Sequence, residues 1–225
     1  MFTLLLGACM LHAGQDSSSE YWSKDHQTQI EQAITQSKEG NPHPYAVFDA
    51  DNTIWKFDIE EGLLAWMDVH DKLELETLDS SILPISPREG ETLFSYYDYL
   101  CDIDHSLGYL WAAQVFSGFS LRELRTEIHS LMDSSEAMTV SLRDGQTKQI
   151  QVPKIFPAQQ ELIASLQDND IEVWVVSASL EEVVRMIVSD PKYGINIPPE
   201  RVIGVNLMLE KPNGEKTVGA LERAE

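Results

Sequence analysis

"YAVFDADNTIW", residues 45–55, decides the fold. The run from Tyr45 to Phe48 is apolar and follows the breaker "GNPHP" at 40–44, and directly behind it stand Asp49, Asp51 and Thr53. A short apolar run bounded in this way is the pattern of a strand buried on both faces of a parallel sheet. In open α/β sheets ligands bind outside the carboxyl ends of the strands, so acids leaving this strand face a site. Carboxylates two residues apart repel each other and call for a cation; a hard ion such as Mg2+ takes oxygen ligands and bridges one or two carboxylates to a phosphate. Taken alone, the pattern also fits an ordinary polar turn whose side chains cap the next segment. An EF-hand loop over "DADNTIWKFDIE" is excluded, because Ile54 sits where the sharp turn needs glycine and a strand precedes it where a helix is required.

Working outward, residues 23–38 place Ile30, Ala33 and Ile34 at helical spacing. A second buried strand is expected in "IEVWVVSAS", 171–179, after a helix carrying Leu162, Ile163 and Leu166 on one face. Helix followed by strand is half of a βαβ unit. The stretch 180–194 reads as a helix with Val183, Val184, Ile187 and Val188 on its apolar side, started by a Ser179/Glu182 capping box. "RVIGVNLML", 201–209, reads as a third strand, and the Asn-Gly of "EKPNGEKT" suits a hairpin turn. The interval 57–152 differs in character: it is helical and aromatic-rich, with a capping box at Ser120 and Glu123 and a small hairpin around the Asp-Gly at 144–145. The predicted architecture is α/β, a Rossmann-like three-layer parallel sheet core over 23–56 and 153–225, with a mostly helical cap, 57–152, inserted after the first core strand.

The chain has 225 residues, 43% of them hydrophobic, so it can bury a sizeable core. Its formal charge of −21 repels nucleic acid and anionic lipid, which argues against a nucleic-acid partner; the same charge suits a cationic substrate or a divalent metal, and equally a well-solvated acidic surface. Two cysteines, Cys9 and Cys101, have no metal-ligand spacing. Residues 1–22 begin apolar, too short a run to span a bilayer, and turn small and polar like an export signal and linker. "LGAC" at 6–9 resembles a lipoprotein signal in which Cys9 would carry lipid. The missing basic start leaves a cytoplasmic location open beside a periplasmic or extracellular one.

Taken together, a strand ending in Asp-Ala-Asp-Asn-Thr and another ending in Ser177 just before a helix resemble the haloacid dehalogenase superfamily. The D-x-D-x-T motif of that family matches Asp49, Asp51 and Thr53, and its strand-terminal serine or threonine matches Ser177. What the resemblance implies is phosphatase chemistry: Asp49 as nucleophile, Asp51 as acid and then base, and Mg2+ held by Asp49 and the main-chain carbonyl of Asp51. Thr53 and Ser177, with Asn52 and amides of the turn, would bind the phosphate of a small phosphorylated metabolite. A dehalogenase is disfavoured, because dehalogenases usually lack the second aspartate.

The resemblance also implies a later lysine and a further pair of acids. Lys211 and Lys216 lie in or beside the predicted hairpin, and no strand followed by an acidic pair precedes Glu225. These elements are therefore expected beyond residue 225, and a catalytically incomplete remnant that binds phosphate or metal stays open as the alternative. Within the superfamily, the chain looks most like the branch of phosphoserine and phosphorylcholine phosphatases. The aromatic residues Trp66, Tyr96, Tyr97, Tyr99, Tyr109, Trp111, Phe116 and Phe119 are either lid packing or a cation–π surface for a quaternary ammonium group.

Overall fold

The computed structural model describes residues 19–210, together with 214, 216 and 217; the expected export segment, Cys9 and Lys211 lie outside them. Helix α1, Lys24–Lys38, is capped by Ser23 and buries Ile30 and Ile34, as the spacing predicts. Strand β1, Tyr45–Phe48, then enters the central sheet. The chain leaves it through a two-residue strand β2, Trp55–Lys56, and runs into α2, Ile59–Val69.

The insertion continues with α3, Leu93–Ile103, and α4, His105–Gln114, which are separated by Asp104. That residue is extended and caps α4 through the amide of Ser106. Helix α5, Leu121–Asp133, starts in the expected capping box, with both reciprocal hydrogen bonds formed by Ser120 and Glu123. The Asp-Gly hairpin is strand β3, Met138–Ser141, against β4, Thr147–Ile150, with Gly145 at φ 83° as such a turn requires. Strand β5, Lys154–Ile155, pairs antiparallel with β2, so chain exit and re-entry meet in one ribbon that the sequence did not suggest.

After α6, Pro157–Asp168, comes β6, Glu172–Leu180, then α7, Glu181–Val188, and β7, Val202–Val205. The sheet order is β1-β6-β7, all parallel. Ala46, Phe48, Val173, Val175 and Val202 fill its covered face, whereas Tyr45, Val176 and Ile203 are exposed on the other. The expectation that β1 is buried on both faces therefore holds for one face among the described residues.

Two other expectations change. The third strand ends at Val205, and Leu209–Glu210 forms a separate strand, β8, paired with β9, Lys216–Thr217, in the expected hairpin. The Ser179/Glu182 capping box is absent: β6 runs on to Leu180, whose side chain supplies no cap, and Glu182 pairs with Arg185 instead.

Candidate active site

The pairing of Phe48 with Val175 in parallel strands puts Asp49 and Ser177 at the same carboxyl end of neighbouring strands. Behind Asp49 the chain curls at once. The amides of Thr53, Ile54 and Trp55 all donate to the Ala50 carbonyl, at 3.2, 2.8 and 3.4 Å. Those three amides are thus committed to the turn, in which Thr53 is half-buried. Asn52 takes φ 56°, a left-handed conformation that asparagine tolerates, and its Oδ1 accepts the amide of Phe57 at 3.0 Å. Phe57 has φ 72°, strain that a bulky residue sustains only where its surroundings fix it. Asn52 therefore holds the turn, in addition to any contact with phosphate.

Asp51 points inward. Its Oδ1 accepts from the Trp55 indole at 2.7 Å and from the Ile59 amide at 2.8 Å, and its Oδ2 accepts from the Ser179 hydroxyl at 2.7 Å. Burial pushes this carboxyl up, and the nearby Asp49 charge adds to the rise; the three donors oppose it without cancelling it.

Two further acids continue inward. Asp58 caps α2 through the Glu61 amide and is raised to about 6, first by burial and then by the charge of Asp51. Glu60 accepts the Leu180 amide at 2.6 Å, and burial raises its carboxyl to about 8. This hydrogen bond ties the start of α2 to the start of α7.

At the second strand end, the Ser179 amide donates to Ser177 Oγ at 3.1 Å. A hydroxyl has one proton to give, so the Ser177 proton remains available to a ligand. Strand β7 braces the turn from behind. The Gly204 amide donates to Glu181, and a Cβ at Gly204 would lie 2.7 Å from the Ser179 carbonyl oxygen.

Sequence reasoning missed Ser179, Asp58 and Glu60. Serine and acids in the first turn of a helix are common caps, so no local signal marks them.

Among the described residues no three His, Cys, Asp or Glu side chains gather as a metal cluster. The oxygens whose chemistry suits Mg2+ are the Asp49 carboxylate, on an exposed residue, and the Asp51 main-chain carbonyl, both hard donors. The Asp51 side chain is already held by three donors and fits the metal role less well than its backbone does.

Most of the aromatic set is packing: Tyr96, Tyr97, Trp111 and Phe116 are buried, and the Arg143 guanidinium already stacks on Tyr99 at 3.2 Å. Tyr109 is the exception, 45% exposed and within electrostatic reach of Asp58, Glu61 and Asp51.

A parallel sheet whose first strand leads into Asp-Ala-Asp-Asn-Thr and whose neighbouring strand carries Ser177 toward the same end, with a helical cap between them in sequence, defines the class: the chain belongs to the haloacid dehalogenase superfamily. Within it, the chain is similar to the phosphorylcholine phosphatase of Pseudomonas aeruginosa, 40% identical over 233 aligned positions. The match takes in 98% of this chain and 66% of that protein, so the chain spans just under two thirds of its relative's length. The crystal structure of a conserved, functionally unknown protein from Anaerococcus prevotii shares the fold, with a TM-score of 0.58 at 17% identity over 87% of this chain and 71% of that one. A phosphoserine phosphohydrolase-like protein from Francisella tularensis overlaps at a TM-score of 0.36 and 14% identity over 77% of this chain and 62% of that one, below the level that indicates a common fold. No family model matches the chain. Among the described residues no helix is long and apolar enough to cross a membrane.

Proposed function

We propose that the chain hydrolyses phosphate monoesters through an aspartyl phosphate on Asp49. The observation that carries this reading is that Asp49, just past β1, and Ser177, in the last part of β6, lie toward one end of neighbouring parallel strands, with Asp51 braced by Ser179. Asp49 attacks phosphorus while Asp51 gives its proton to the leaving oxygen; Asp51 then takes a proton from the water that hydrolyses the acyl phosphate. A carboxyl raised by burial suits both halves of that exchange. The hydroxyls of Thr53 and Ser177 donate to the phosphoryl oxygens as charge develops on them. Mg2+, held by the Asp49 carboxylate and the Asp51 carbonyl, would supply charge neutralisation and orientation of the phosphoryl group.

For the leaving group we propose a small cationic alcohol such as choline. The relative's own substrate supports it, and Tyr109, 45% exposed, offers an aromatic face for a quaternary ammonium group. The apolar start at residues 1–22 is proposed as an export signal, tested by sequencing the N-terminus of the secreted form.

The test is hydrolysis of phosphorylcholine and of p-nitrophenyl phosphate, with and without Mg2+, by this chain and its Asp49→Asn variant. Turnover should fall about 10⁴-fold or more in the variant; turnover that survives Asp49→Asn removes the nucleophile assignment. A second reading, a phosphate-binding protein without turnover, is favoured by the absence of a third acidic ligand among the described residues. It predicts phosphate binding with no hydrolysis of either ester.

A further inference from the structure

We infer that Ser179 is a positioning residue for the reaction, fixing Asp51 Oδ2 as the oxygen that exchanges a proton with the leaving group. The inference rests on the phosphatase reading above. It starts from an asymmetry in the Asp51 carboxylate. Oδ1 accepts from both the Trp55 indole and the Ile59 amide, which fills its two lone-pair directions. Oδ2 accepts only from Ser179 Oγ among the hydrogen bonds of the described residues, so it is the oxygen with a direction left for substrate. The indole and the amide fix one end of the carboxylate. Rotation about χ2, a broad torsion, carries both oxygens, so a bond on the far oxygen narrows the same torsion from the opposite side. Ser179 supplies the second anchor.

The serine is itself held from three sides. It is 3% exposed, its amide donates to Ser177 Oγ, its carbonyl lies against Gly204, and the amide after it is bound by the buried Glu60. Its hydroxyl thus reaches Asp51 from a fixed backbone, 128 residues away in the chain. A protonated carboxyl oxygen keeps a lone pair, so Ser179 can go on donating to Oδ2 whether or not Asp51 carries the proton.

The test compares two esters by kcat/KM, which reports the steps up to phosphoryl transfer. An alkyl ester such as phosphorylcholine needs its leaving oxygen protonated, whereas p-nitrophenolate leaves without help. Ser179→Ala should lower kcat/KM for the alkyl ester about 10²-fold, since a misplaced acid costs that much, and for p-nitrophenyl phosphate roughly twofold, since no proton transfer is needed there. Ser179→Thr, which keeps the hydroxyl, should restore most of the alkyl-ester rate. Independently of turnover, the indole N–H resonance of Trp55, bound to the same carboxylate, should move in Ser179→Ala and return in Ser179→Thr. Equal losses on the two esters with an unmoved indole resonance overturn the inference while leaving the phosphatase reading intact. A wild-type chain that hydrolyses neither ester overturns that reading, and the inference with it.

Discussion

The tetrapeptides Ser-Leu-Arg-Glu at 120–123 and Ser-Leu-Glu-Glu at 179–182 present the same capping pattern, and the fold uses them in opposite ways. At the start of α5 the pattern is self-sufficient: Ser120 Oγ takes the Glu123 amide at 3.3 Å, and Glu123 returns to the Ser120 amide at 2.9 Å. At the start of α7 each of these partners has been exchanged, two of them for distant ones. Ser179 Oγ goes to Asp51, the Leu180 amide goes to Glu60, and Glu182 goes to Arg185. The exposed copy satisfies its orphan amides locally, while the buried copy is opened so that its serine and first amide reach the region behind Asp49. A helix start that gives up its own cap for contacts 120 and 128 residues away is a connection between two strand ends.

The largest expected effect that sharpens this contrast lies just ahead of the buried copy. Ser177→Ala should lower kcat by about 10²-fold or more, because a preorganised donor to the transferring phosphoryl group is lost, and lower stability by only about 1 kcal/mol, through the Ser179 amide that loses its acceptor. A loss of stability without a loss of rate would make this turn ordinary structure and break the contrast.

Next comes Glu60, which replaces the missing local cap. Its carboxyl rises from 4.5 to about 8, chiefly through burial and further through Asp58 and Asp51, so the native form keeps a proton that the unfolded chain has lost. Asp58, raised from 3.8 to about 6, acts with the same sign. For a raised carboxyl the contribution to stability is complete below the unfolded value and disappears as pH climbs to the folded one, so stability should decline between pH 4.5 and about 8. Glu60→Gln keeps an acceptor for the Leu180 amide and cannot ionise. It should flatten that decline and be the more stable protein above pH 8, by on the order of a few kcal/mol. Chemical denaturation across pH checks both; an unchanged slope would show that Glu60 is ionised in the native state.

A smaller effect is expected behind the turn. Gly204→Ala would set a Cβ 2.7 Å from the Ser179 carbonyl oxygen and 2.8 Å from Glu181 Cα, both backbone atoms that cannot yield separately. The forced shift should cost about 1–3 kcal/mol and reduce activity with it, because the atoms displaced carry Ser179. Thermal melts and rates on one variant read both.

The same contrast explains how far the sequence could be read. The strand leading into Asp49, the second strand carrying Ser177, the α5 capping box and the Asp-Gly hairpin all rest on neighbours in sequence, and each is present, although the second strand runs on past Ser177 to Leu180. The failures share a cause. Ser179 and Glu182 matched a local rule that is overridden by Asp51 and Glu60, which arrive only once the sheet has formed, and by Arg185 one turn further along the same helix. The β2–β5 ribbon is likewise a pairing of two-residue strands, too short to show periodicity. The aromatic residues of the cap were legible as a group but not individually, since burial separates Tyr96 and Trp111 from the exposed Tyr109 and burial is a tertiary property.

The smallest effect falls on the exposed copy and serves as the control. Ser120→Ala removes the acceptor for the Glu123 amide and leaves Glu123 facing the Ser120 position from one side only. An N-cap serine replaced by alanine costs about 1 kcal/mol, so the melting temperature should drop slightly. The kinetics on both esters should not change, because α5 begins in an exposed turn with no contact to Asp51 or Glu60 among the described hydrogen bonds. Helical content by circular dichroism and the ratio of rates on phosphorylcholine and p-nitrophenyl phosphate separate the two copies directly. A Ser120→Ala variant that altered that ratio would mean that the ratio responds to general loosening of the cap, and the exchanged partners of Ser179 would then lose their special standing.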